Sequence, residues 1–82
     1  MIENASNSTR WVLLLDTDER AGLVAALAER CSKRGVSLEL TTGPGHVLIT
    51  FQADENLVID TASALRSVPG VLNVHPYPVI EA

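Results

Sequence analysis

The chain has 82 residues, a formal net charge of −4 and a pI near 4.9. That length holds one domain, and the acidic balance excludes a nucleic-acid footprint, which needs clustered Lys and Arg to displace counterions from phosphates. With 46% hydrophobic residues but one Trp, one Tyr and one Phe, the sequence is globular, with a core of Leu, Val, Ile and Ala.

Residues 1–9 read as a polar, flexible tail preceding a domain over 10–82. The start lacks the basic-then-apolar order of a secretory leader, and the run Trp11 to Leu15 is too short to span a bilayer. The single Cys31 permits neither an internal disulfide nor a cysteine metal site, so the expectation is a cytoplasmic protein away from membranes. Trp11-Val12-Leu13-Leu14-Leu15, bounded by Asp16-Thr17-Asp18, predicts a central strand buried on both sides.

From Ala21 to Arg34 the period becomes helical, with Leu23, Val24, Leu27, Ala28 and Cys31 on one face. Arg30, Lys33 and Arg34 fall in the last turn, where cations suit the negative end of the dipole, and Gly35 predicts the stop. Val36, Leu38 and Leu40 then alternate with polar residues as a half-buried strand. In Gly43-Pro44-Gly45-His46 the proline presets φ and Gly45 supplies a positive φ, predicting a type II turn. Val47, Ile49 and Phe51 face inward on the return strand, and Asp54 is placed to cap a second helix.

That helix carries Val58, Ala62 and Leu65 on one stripe, with Ile59 and Val68 near it, and ends at Pro69-Gly70. Val71 to Val74 opens a last strand, which Pro76 and Pro78 confine to an edge because they lack backbone donors. The order is βαββαβ. Right-handed crossovers put both helices on one face, so the predicted class is α+β: a ferredoxin-like four-stranded antiparallel sheet with two helices on one face. The opposite face, with Ser37, Glu39, Thr41, Thr50, Gln52, Asn73 and His75 interrupted by Leu48, is expected to be partly covered by a second copy or by the tail. A domain this small buries only about 60% of its unfolded surface, and pairing as a homodimer is a common remedy.

Four segments resemble the ACT family of regulatory domains: Asp16-Thr17-Asp18-Glu19-Arg20-Ala21-Gly22-Leu23 after the first strand; Gly35-Val36-Ser37-Leu38; Val47-Leu48-Ile49-Thr50-Phe51 with Ala53-Asp54-Glu55; and Leu65-Arg66-Ser67-Val68-Pro69-Gly70-Val71. The similarity spans residues 11 to about 79. It implies a non-catalytic module that binds a small metabolite, an amino acid in the first instance, at a subunit interface, as a homodimer reporting to an enzyme partner. The site residues it implies are Asp16, Asp18, Glu19, Arg20, Ala21, Gly22, Leu23 and Ser37. Gly22 matches the family's loop glycine, which lets a ligand approach the helix amides. Ala21 replaces the family's proline, Glu19 stands where amino-acid-binding members offer an amide, and Ser37 replaces an asparagine. Local chemistry also suits Asp16, Asp18 and Glu19 to turns and helix starts without any ligand.

No cofactor or metal is expected. His46 and His75 have no further His or Cys at ligand spacing and read as surface residues, and no nucleophile, base and oxyanion donor can be named. The metallochaperone version of this fold requires a Cys-x-x-Cys loop, and the acylphosphatase version a Gly-rich phosphate cradle with Arg and Asn, whereas this loop is acidic. Two alternatives stand beside the sensing module: a purely structural dimerisation domain, and the amino-acid-sensing effector domain of feast/famine-type regulators, which Thr42-Gly43 and Val68-Pro69-Gly70-Val71 also resemble.

Overall fold

Strict alternation of side chains explains most of the architecture. In the computed structural model, which describes residues 9–33 and 38–80, the strands are β1 (Thr9–Thr17), β2 (Leu38–Gly43), β3 (His46–Ala53) and β4 (Val71–Pro78). The helices are α1 (Leu23–Lys33) and α2 (Glu55–Arg66). All pairings are antiparallel, in the order β2-β3-β1-β4. β1 is central as expected, and β4 lies at an edge, where its two prolines need no ladder partner on the outer side.

β1 differs from the expectation of burial on both sides. Leu13, Leu15 and Thr17 point into the core, whereas Val12, Leu14 and Asp16 stay half-buried on the opposite face. The reason is architectural: helices cover only one face, so a central strand of this sheet has one dry side. The strand also begins earlier than the tail boundary, with Thr9 paired to Ala53 and Arg10 to Gln52.

One core joins the sheet to both helices. Leu13, Leu15 and Ile49 from the strands meet Leu27 and Cys31 of α1 and Val58, Ala62 and Leu65 of α2. On α1 the buried stripe is Leu23, Leu27 and Cys31, narrower than expected, since Val24 and Ala28 are exposed. Ile59 of α2 is likewise exposed, one residue off the buried stripe through Val58, Thr61, Ala62 and Leu65. Asp54 caps α2 as predicted, accepting a hydrogen bond from the Leu57 amide at 2.8 Å. Arg30 does more than solvate a helix end: its Nη1 donates to the Ala64 carbonyl at 3.2 Å and to Ser67 Oγ at 3.0 Å, tying α1 to the negative end of α2. The stop at Gly35, the start of the second strand at Val36 and the site position Ser37 lie outside the described residues.

Candidate functional site: the cleft at the head of the first helix

β1 delivers its last residues between two glycine turns. The Thr17 amide donates to the Gly45 carbonyl of the β2–β3 hairpin at 2.9 Å, and the Asp18 amide donates to the Gly70 carbonyl of the α2–β4 turn at 3.0 Å. Gly45 has φ of 74°, the left-handed value that the predicted turn requires, and Gly70 has φ of 102°. The loop is thereby clipped to both neighbours before α1 begins.

Within the loop, Asp18 and Arg20 satisfy each other. The Arg20 amide donates to Asp18 Oδ1 at 3.1 Å, its Nε to both carboxylate oxygens at 3.2 and 3.0 Å, and its Nη2 to Oδ2 at 2.7 Å. This fork is the geometry that guanidinium and carboxylate favour. Hydrogen bonds from the Arg20 side chain hold the Asp18 carboxyl below its usual range, and the Asp18 carboxylate in turn raises the guanidinium. The pair lies over Gly70, where a Cβ would stand 2.9 Å from Asp18 Oδ1 and 3.0 Å from Arg20 Nε.

The backbone then turns through two positive φ values, Glu19 at 60° and Gly22 at 83°. A non-glycine residue in that region is uncommon and marks a constrained loop. The Gly22 carbonyl accepts from the Ala26 amide at 3.0 Å, so Gly22 is the last residue before the helix and offers no side-chain cap of its own. A Cβ there would have no atom within 4 Å, so that spot is open space.

An open cleft of about 410 Å³ lies between this loop and the hairpin, with Glu19, Arg20 and Leu23 on one side and Thr42, Gly43 and His46 on the other. A second cleft of about 410 Å³ occupies the outer sheet face beside Leu14, Thr41 and Leu48, and Thr42, Gly43 and His46 border both.

The fold therefore separates the residues the sequence grouped together. Glu19, Arg20 and Leu23 line the first cleft, and Gly22 stands exposed beside them. Asp18 is engaged by Arg20, and Ala21 is an exposed turn residue. Asp16 points to the outer face, where Oδ1 lies 3.3 Å from His46 Nε2 and Oδ2 accepts from His75 Nε2 at 3.2 Å. Sequence reasoning missed the hairpin's share of the cleft and the seat that Gly70 makes for the ion pair. The glycine in Pro69-Gly70 was a visible signal, but it served equally well as a helix stop.

No family model matches the chain, and no curated protein matches it. Solved structures do. The ACT domain of GTP pyrophosphokinase from Chlorobium tepidum is 14% identical, with a TM-score of 0.66 over 85% of this chain and 99% of that one. An acylphosphatase from Bacillus subtilis is 15% identical, with a TM-score of 0.71 over 89% and 87% of the two chains. An acylphosphatase from Coxiella burnetii is 11% identical, with a TM-score of 0.77 over 100% and 92%. At these identities the likeness establishes the ferredoxin-like fold, shared with ACT domains and acylphosphatases alike, and leaves function to the residues.

Proposed function

We propose that this chain is a non-catalytic regulatory module that takes a small metabolite, an amino acid, in the cleft at the head of α1, with a second copy of the chain closing the open side. The observation that carries the reading is the open backbone at Gly22 beside a cleft of about 410 Å³. That volume falls within the range of small-molecule sites, about 300–1,000 Å³. The first-turn amides of α1 favour a ligand carboxylate, Glu19 favours an ammonium group, and Leu23, Val24 and Val47 supply apolar lining for a side chain.

The acylphosphatase likeness raises a catalytic reading, which the loop chemistry disfavours. Arg20 stands in the loop that leads into the helix head, and the Asp18 carboxylate already occupies its guanidinium. An acyl phosphate would have to displace that partner and approach Glu19. The same ion pair favours a second reading, a structural pairing module in which the loop packs on a neighbouring copy and binds nothing. On the leading reading a ligand held between two copies shifts the assembly by its differential affinity, and the pair reports to an enzyme partner in the cytoplasm.

Thermal-shift screening of the proteinogenic amino acids at millimolar concentration tests this directly. A ligand at a hundredfold its Kd stabilises the folded state by about 2.7 kcal/mol. Gly22→Trp should abolish that response, because its side chain would occupy the open approach, at a cost in stability set by the positive φ of that position. A screen with no stabilising amino acid would favour the structural module.

A further inference from the structure

The outer face of the sheet carries its charges in an order that runs along the central strand. Four side chains of β1 point that way: Arg10 near the start, Asp16 near the end, and the aliphatic Val12 and Leu14 between them. The neighbouring strands widen this apolar middle. Leu14 lies in register with Leu48 of β3 and Val12 with Tyr77 of β4, and both of these neighbours are exposed. The cleft of about 410 Å³ bordered by Leu14, Thr41 and Leu48 belongs to the same face. The buried cluster that holds both helices lies on the opposite side of the sheet.

We propose that this face is a docking surface for a second copy of the chain, seated end for end about a twofold axis so that Arg10 of each copy meets Asp16 of the other and Val12 meets Leu14.

The arrangement of charge selects the occupant. A copy laid on the face in the same direction would set Arg10 on Arg10 and Asp16 on Asp16. Turned about a twofold axis at the level of Leu13, it sets opposite charges together at both ends of the seam and aliphatic side chains together in the middle. That is the self-complementarity a twofold interface requires, in which one residue meets a second and the second meets the first. A polyanion fits less well: the face carries the carboxylates of Asp16 and Glu39, and among the described residues Arg10 is its one Lys or Arg.

Asp16 keeps capacity for the contact. Its Oδ2 accepts from His75 Nε2 at 3.2 Å and its Oδ1 lies 3.3 Å from His46 Nε2, and a carboxylate with about four lone-pair sites has room for a guanidinium as well. Packed sheets lie about 10 Å apart, a gap that an arginine and an aspartate side chain bridge together. Strand addition at the β4 edge is closed off, because Pro76 and Pro78 offer no donors and Arg66 Nη2 already donates to the Val74 carbonyl at 3.4 Å.

This pairing goes beyond the ligand reading and does not rest on it. Thr42, Gly43 and His46 border both clefts, so a copy seated here would also close the hairpin corner of the cleft at the head of α1. The amino-acid screen can fail with the seam intact, and the seam can fail with a ligand still bound.

The test is made on the full chain without ligand, by sedimentation equilibrium from micromolar to millimolar concentration. Arg10→Asp and Asp16→Arg should each weaken dimerisation about tenfold or more, because each reversal acts at both ends of the seam. The doubly exchanged chain, whose net charge is unchanged, should dimerise again. In an equal mixture of isotope-labelled and unlabelled wild-type chains, filtered nuclear Overhauser spectra should connect the methyls of Val12 with those of Leu14 across copies. A wild-type chain that stays monomeric, a dimer that survives both single reversals by pairing along the β2 edge instead, or a double exchange that fails to restore association in a folded chain would overturn the proposal. The methyl contacts of the unaltered chain decide the matter even if a variant folds poorly, and their absence in a dimer would also overturn it.

Discussion

Gly70→Ala is the substitution whose cost can be built up from the geometry. At φ of 102° the residue sits beyond the small left-handed region that alanine tolerates, so the backbone alone costs about 1–2 kcal/mol. The new methyl would also stand 2.9 Å from Asp18 Oδ1, closer than real Cβ contacts come, and 3.0 Å from both Cδ and Nε of Arg20, which is tight. Those side chains must move, and because they grip each other they move as a pair. Gly22→Ala supplies the control, since Gly22 shares a positive φ of 83° but has nothing within 4 Å of its Cβ position. Both variants should lose stability, and Gly70→Ala should lose more. For a domain of this size, 1–2 kcal/mol lowers Tm by roughly 5–15 °C. Urea midpoints for both variants, repeated with Asp18→Ala to vacate the space over Gly70, separate strain from collision. If Gly70→Ala costs no more than Gly22→Ala, or if Asp18→Ala fails to narrow the gap, the packing of the ion pair on Gly70 is refuted.

Other outcomes follow from the same geometry. The Asp18 carboxyl is lowered from 3.8 by Arg20, so its contribution is fully present above the unfolded value and lost as pH falls through the lower folded one. NMR titration should place its midpoint below 3.8, and Arg20→Gln should bring it back toward that value. Thr61 is fully buried, with a hydroxyl that has no hydrogen-bond partner. Thr61→Val should therefore stabilise the domain by about 1 kcal/mol in urea unfolding. Asp54→Ala removes the acceptor for the Leu57 amide and should cost about 1 kcal/mol by the same assay. Light scattering at micromolar concentration should give a dimer, and a monomer would remove the second copy from the functional proposal.

Local patterns in the chain carried the elements well. Val47, Ile49 and Phe51 announced the inner face of β3, Gly45 its turn and Asp54 the start of α2, because each depends on neighbours within a few residues. The site was less legible for a physical reason. Asp16 and Asp18 look equivalent in sequence, and strand parity alone would put both on one face, yet β1 ends at Thr17, so Asp16 stays on the outer face and Asp18 falls in the loop. His46 and His75, the companions of Asp16, arrive from distant strands whose register no local pattern specifies. The Asp18–Arg20 fork depends on a left-handed turn at Glu19 that carries no glycine to advertise it. Val24, Ala28 and Ile59 fit helical stripes, but how wide a stripe is buried is decided by the sheet beneath it.

The central claim, a ligand seat at the exposed head of α1, is tested most directly by mapping amide shifts in a labelled sample while each amino acid is titrated to millimolar concentration. The account predicts saturable shifts confined to Glu19, Gly22, Leu23 and the facing hairpin residues Thr42 to His46. Spectra unchanged by every amino acid, or shifts centred on α2 and β4 instead, would contradict it.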